Sequence, residues 1–192
     1  MSISPDIALE RLRDGNRRFA SGLSGGQFTA QRSAQSTGGQ NPWAVVVGCS
    51  DSRVPVEAVF DVGVGDLFVV RTAGHVLAAA SIASVRFALD KLGARTVVVL
   101  GHEDCGAVAA ALAGDAPTWL SPIVDHIHLT DIDAASAPAD ADNALLAAAV
   151  DRHVLDTVNE LLALVSTFGI AEQVSVSGAA YKLASGEVHW LG

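Results

Sequence analysis

Three stretches of the chain run through Val and Leu without polar alternation: WAVVVG at 43–48, DLFVVRT at 66–72 and RTVVVLGH at 95–102. Continuous apolar runs of this length predict strands covered on both faces. Between the second and third, HVLAAASIASVRFALDKLG (75–93) predicts a helix stopped by Gly93, and another begins near Cys105 and continues through GAVAAALAG. The order strand, helix, strand, helix implies a parallel sheet. At the N-terminus, Ser4 before Pro5, with Glu10 and apolar Ile7, Ala8, Leu12 and Phe19, predicts a capped amphipathic helix to about Ala20. Residues 21–42, rich in Gly, Ser, Gln and Thr, read as an arm. Further on, a short helix is expected around Leu120 to Leu129 with a loop after it, and a long helix at 143–169 closed by Gly169. The chain then finishes in a strand and a hairpin about Ser185 and Gly186. The fold class is therefore α/β: a mostly parallel central sheet of order about 2-1-3-4, with a C-terminal antiparallel edge strand, flanking helices and an N-terminal helical arm. Residues 1–42 form the arm, expected to pack on a partner subunit, and 43–192 a single domain.

Composition narrows the function classes. A chain of 192 residues suits one domain that buries roughly 70% of its unfolded surface. The net charge of -9 excludes a nucleic-acid footprint, which needs clustered Lys and Arg. Half the residues are apolar and mean hydropathy is +0.37, yet no apolar run approaches the roughly 18 residues of a membrane span. Part of the surface is therefore expected in a subunit interface. The mixed charge of MSISPDIALERLRDGNRRFASG does not suit a secretory signal, so a cytoplasmic location is expected. In such a compartment the two cysteines, Cys49 and Cys105, are expected to be free, catalytic or metal-bound.

The chemistry collects at strand ends. Cys49 follows the first strand, and the third ends in GHEDCG, delivering His102 and Cys105. In doubly wound sheets ligands bind beyond the carboxyl ends of strands at the switch point, and a 2-1-3-4 order makes these two strands neighbours. Two cysteines and one histidine are a borderline-soft set that suits Zn²⁺ with its fourth position open. Asp51 and Arg53 stand beside the first ligand. The Arg53 fork can keep Asp51 ionised, as an acceptor beside the open position or as a fourth ligand in its own right. The G-x-x-x-x-G outline of GHEDCG also suggests a phosphate loop, but Ala107 and Val108 replace its Lys and Ser/Thr. The GVG at 63–65 precedes a strand, not the helix a dinucleotide loop needs.

Cys49-Ser50-Asp51-Ser52-Arg53 and His102-Glu103-Asp104-Cys105 resemble the paired C-x-D-x-R and H-x-x-C signatures of the β-class carbonic anhydrases. The resemblance runs from LRDGNRRFASG through RTAGH (71–75) to YKLASGE, and is weakest from 115 to 142. It implies one Zn²⁺ per subunit on Cys49, His102 and Cys105, Asp51 paired to Arg53, and a homodimer or higher homo-oligomer. The implied reaction is reversible hydration of CO₂ to bicarbonate and a proton by attack of zinc-bound hydroxide. It further implies that Gln40 donates into the site, that the Gly106 N–H holds bicarbonate, and that Phe68 and Ala73 line the CO₂ pocket. Val46 stands where some members carry a Trp of a bicarbonate inhibitory site, although Arg71 and Tyr181 match its other parts. No nucleic acid or membrane partner is implied.

Two other functions fit the same residues. Hydrolysis of CS₂ or COS could use the same zinc centre, because residue types do not report pocket access. A thiol redox sensor would close a disulfide between Cys49 and Cys105 on zinc loss, but has no use for Asp51, Arg53 and Gln40. None of His75, His126, His128, His153 and His189 is assigned as a proton shuttle.

Overall fold

The computed structural model describes residues 3–26, 28–129, 132 and 142–192. Helix α1 (Pro5–Ala20) starts as the sequence indicates: Ser4 Oγ accepts from Ile7 N and Pro5 opens the first turn. The arm contains a short helix, α2 (Ala30–Gln35), not anticipated from composition; Thr29 caps it by accepting from Arg32 N at 3.1 Å. Then come β1 (Ala44–Cys49), a single turn α3 (Val56–Val59), β2 (Leu67–Thr72), a 3₁₀ turn (Ala73–His75) and α4 (Ala79–Lys91). They are followed by β3 (Thr96–His102), α5 (Gly106–Ala113), the short α6 (Ser121–Val124), the long α7 (Asp142–Thr167), β4 (Ser175–Tyr181) and β5 (Val188–Leu191).

The sheet order is β2-β1-β3-β4-β5, all parallel except the antiparallel β4–β5 hairpin. The expected order and edge strand are both present. Every residue of β1 and of β3 is buried, and the pleat sends successive side chains to opposite faces. Val45, Val47, Val97 and Val99 face α4 and α7, packing with Leu89, Val154 and Leu161. Val46, Val98 and Leu100 face α1 and α3, packing with Leu12, Val59 and Phe60. Each fully buried Val contributes roughly 1.5–3 kcal/mol, so these two strands anchor both layers.

One face of α1 packs on its own chain. Asn16 donates through Nδ2 to the carbonyls of Val59 and Gly186 at 3.1 and 2.9 Å, and its Oδ1 accepts from Val188 N at 2.8 Å. Ile7, Leu23 and Phe28 of the same N-terminal segment stay exposed.

Two helices depart from the sequence reading. The helix expected from His75 starts at Ala79, because Gly74 and His75 both take left-handed backbone (φ 65 and 46) and break the helical path. The helix expected around Leu120 to Leu129 shrinks to α6, preceded by a 3₁₀ turn at Thr118–Leu120. The loop expected after it lies outside the described residues apart from Ile132. Among the described residues no helix is long and apolar enough to cross a membrane.

The sheet also admits α7 at unusually close range. A Cβ on Gly101 would lie 2.5 Å from Val154 Cγ2, and one on Gly178 2.8 Å from Val154 Cγ1. Only glycine leaves room for the helix there. The consequence appears at the site, where α7 backs the end of β3.

Candidate metal centre

Parallel pairing of β1 with β3 sets Gly48 opposite Leu100, so Cys49 and His102 emerge at the same end of adjacent strands. Past β3, Glu103 N donates to Tyr181 O at 3.0 Å, and left-handed Asp104 (φ 53) turns the chain toward Cys105, which caps α5. Cys49 Sγ, Cys105 Sγ and a ring nitrogen of His102 all lie within 4.8 Å of one another, and all three residues are buried. Both cysteines are free thiols.

The chemistry of this donor set fits a zinc ion. His102 Nδ1 lies 2.6 Å from the Glu103 carbonyl oxygen. A carbonyl only accepts, so Nδ1 carries the proton and Nε2 presents its lone pair. That Nε2 is buried with no hydrogen-bond partner, a costly state for a polar atom unless an ion completes it. The sulfurs are prepared as well. A hydrogen bond from Cys105 is the largest influence on Cys49; burial opposes it, and the backbone N–H groups of Asp51 and Gly74 reinforce it. The net result holds the Cys49 thiol down to about 4. The same bond pushes Cys105 far up, with burial adding to it. The pair therefore shares one proton, which a divalent ion would displace.

Asp51 sits on the tight turn after β1. Arg53 donates to it three times: backbone N to Oδ1 at 2.8 Å, Nε to Oδ1 at 3.0 Å and Nη2 to Oδ2 at 2.8 Å. The Arg53 side chain thereby holds the Asp51 carboxyl well below the usual carboxylate range. Arg53 is half exposed, so the pair's value lies in fixing an ionised, oriented acceptor more than in stability. Asp51 is not part of the mutually close triplet; its Oδ2 lies 3.9 Å from His102 Nε2.

The remaining expected residues divide. Ala73 directly follows the Thr72 that pairs with Cys49, and Gly106 is the first residue of α5, next to Cys105. Gln40 lies exposed ahead of β1, four residues before the strand begins at Ala44. Phe68 pairs with Val45 at the other end of β2, where it packs on Phe87 (ring centroids 6.2 Å apart) and lines a cavity of about 290 Å³. Val46 packs in the same core as Tyr181.

Sequence reasoning named Arg71 only as a match to an inhibitory site and assigned no bracing role to it or to Gly74. Arg71 reaches across from β2, donating through Nε to Cys49 O at 2.8 Å and through Nη2 to Asp51 O at 2.7 Å. Gly74 N donates to Cys49 Sγ at 3.3 Å. Both belong to the RTAGH stretch, whose only signal in the sequence was its place in the resemblance.

Residues 44–188 match the family model for carbonic anhydrase. The chain belongs to that family. Its β-class fold is shared with the β-carbonic anhydrase CafA of Aspergillus fumigatus (TM-score 0.74, 25% identity, covering 97% of this chain and 89% of that one). The Coccomyxa β-carbonic anhydrase in complex with acetazolamide is equally similar (TM-score 0.74, 26% identity, 95% and 86% covered). Among curated carbonic anhydrases, carbonic anhydrase 2 of Mycobacterium tuberculosis is 48% identical over 113 residues, 57% of this chain and 54% of that protein. The carbonic anhydrase of Mycolicibacterium smegmatis is 45% identical over 131 residues, 65% and 63% of the two chains. The chain thus spans about half to somewhat under two thirds of these curated relatives' length. In this member of the β-class carbonic anhydrase family, the cysteine–histidine cluster is the one group of metal-binding side chains found among the described residues.

Proposed function

We propose that the protein catalyses the reversible hydration of carbon dioxide to bicarbonate and a proton, with zinc held by Cys49, His102 and Cys105. The observation that carries this reading is the buried convergence of these three donors beside an ionised carboxylate, in a chain of this family. Zinc in that position would supply Lewis acidity, lowering the pKa of water toward neutrality as it does in three-histidine carbonic anhydrases.

The chain's own residues supply orientation. Asp51, an acceptor because Arg53 keeps it ionised, takes a hydrogen bond from the attacking water and aims its lone pair at the carbon of CO₂. Arg71 keeps the Cys49–Asp51 backbone rigid under that carboxylate. The Gly106 N–H, at the start of α5, meets the growing charge on the product oxygens. Ala73 flanks the substrate from the turn after β2. Phe68 stands opposite Val45 at the far end of β2 and Gln40 lies exposed ahead of β1; in this proposal their assigned roles, a pocket wall and a donor, are filled in the site of a second copy. A homodimer or larger assembly follows, with exposed Ile7, Leu23 and Phe28 of the N-terminal segment as its apolar contacts. The proton leaves to solvent without a buried relay, since His75 and His153 are sealed from water.

Stopped-flow hydration of CO₂ by the zinc-loaded chain, with COS as a competing substrate and pH as the variable, tests this proposal. Hydration is expected to dominate. Its kcat/KM is expected to rise with pH through an inflection well above the carboxylate range, because Asp51 is already ionised throughout. An inflection near the ordinary Asp value of about 4 would show that Asp51 titrates during catalysis and contradict its assigned role. A zinc-loaded chain that turns over COS but not CO₂ would overturn the substrate.

A further inference from the structure

Behind the cluster, α7 and the turn after β2 bury two histidines that the reaction above leaves unused. His75 is fully buried and His153 nearly so, and their rings stack with centroids 4.4 Å apart and planes inclined by 27°. His153 Nε2 lies 2.8 Å from the Gly74 carbonyl oxygen. That oxygen only accepts, so Nε2 is the protonated nitrogen, and Nδ1, buried without a partner, holds the lone pair. Burial lowers both imidazoles below their ordinary value, so both rings are neutral spacers.

Gly74 is held from three directions. Its carbonyl accepts from His153, and its N–H donates to Cys49 Sγ at 3.3 Å. On the remaining side a Cβ would come within 3.0 Å of Ala107 Cβ and 3.1 Å of Ile127 Cδ1. Gly74 takes its φ of 65 freely as a glycine, but the left-handed His75 that follows it (φ 46) is a backbone that persists only when its surroundings fix it. His153 can reach it because Gly101 and Gly178 let Val154, the next residue of α7, settle against the sheet.

We propose that His153 is a positioning residue of the metal centre: by holding the Gly74 carbonyl it fixes the turn whose N–H is aimed at the Cys49 sulfur. An N–H···S bond draws charge from a thiolate, so the strut sets how strongly Cys49 donates to the ion and which way its lone pairs face. The inference rests on the zinc reading of the cluster, and it assigns to α7, remote in sequence, a part in tuning that site.

The test uses the full chain loaded with Co²⁺, whose sulfur-to-cobalt absorption reports thiolate charge, together with chelator competition for affinity. His153→Phe keeps a ring to stack on His75 and removes the donor; His153→Gln keeps a donor near the Nε2 position. His153→Phe is expected to move the sulfur-to-cobalt band to lower energy and to weaken Co²⁺ binding about 3- to 10-fold. That is less than the roughly 10–100-fold typical of a direct partner of a ligand. His153→Gln is expected to restore most of both. A merely structural role would lower the melting temperature and leave the band in place. A His153→Phe chain with the wild-type band and affinity, whatever its Tm, overturns the proposal, as does a His153→Gln chain as displaced as His153→Phe. Should His153→Phe not fold, His153→Asn, whose amide is too short to reach the carbonyl, carries the same comparison. A wild-type chain that takes up no Co²⁺ would instead remove the metal centre and this inference with it.

Discussion

Replacing Asp51 with Asn is expected to leave zinc bound and to cut kcat/KM for CO₂ hydration by about 100-fold or more, within the roughly 10²–10⁴-fold range of positioned proton-transfer groups. The substitution preserves shape but changes two things at once. One carboxylate oxygen becomes an NH₂ donor, which faces the Arg53 fork or the reacting water with the wrong polarity. The charge that Arg53 now holds in place also disappears. Cys49, His102 and Cys105 themselves are unchanged, so metal content measured on the same preparation separates lost turnover from lost zinc. Near-normal hydration by Asp51→Asn would remove the carboxylate from the mechanism.

The second large effect is expected from Cys105→Ser, which should weaken zinc binding by at least about 100-fold, beyond what changes in outer partners of a ligand typically cost. Serine is a favourable choice here for a physical reason. Cys105 is the N-cap of α5 and makes no side-chain capping bond, whereas a serine hydroxyl caps well. The metal-free variant should therefore fold at least as well as the metal-free parent, and a fall in zinc affinity cannot be assigned to a frayed helix. Stoichiometric tight zinc in purified Cys105→Ser would refute the ligand role.

Much of this architecture was legible because it is written locally. Burial on both faces of β1 and β3 requires uninterrupted Val runs, and those runs marked the strands to within about a residue. The order of runs and helices fixed a parallel sheet, and a parallel sheet brings together whatever follows its adjacent strands, here Cys49, His102 and Cys105. What escaped notice is non-local. Arg71 enters the sequence reading only as a match to part of a bicarbonate inhibitory site; its hold on the Cys49 and Asp51 carbonyls emerges only when pairing sets β2 beside β1. His153 lies on a helix whose apolar pattern explains it adequately, and its contact with Gly74 arises only because glycines in β3 and β4 admit that helix. The late start of α4 has a similar origin. His75 could have continued a helix by propensity, but stacking on His153 comes with a left-handed backbone that no neighbouring residue signals. Placement of Phe68 beside Val45, at the end of β2 remote from Cys49, is equally invisible in one dimension, since it follows only from the pairing register.

The central claim, that two sulfurs and one imidazole share a single catalytic ion, is tested most directly by X-ray absorption at the zinc edge on the purified chain, with metal content and CO₂ hydration measured on the same sample. The expected result is one zinc per chain, two sulfur and one nitrogen neighbours, and activity that falls in step with zinc on chelation. Full hydration activity in metal-free protein, or bound zinc without sulfur neighbours, would contradict it.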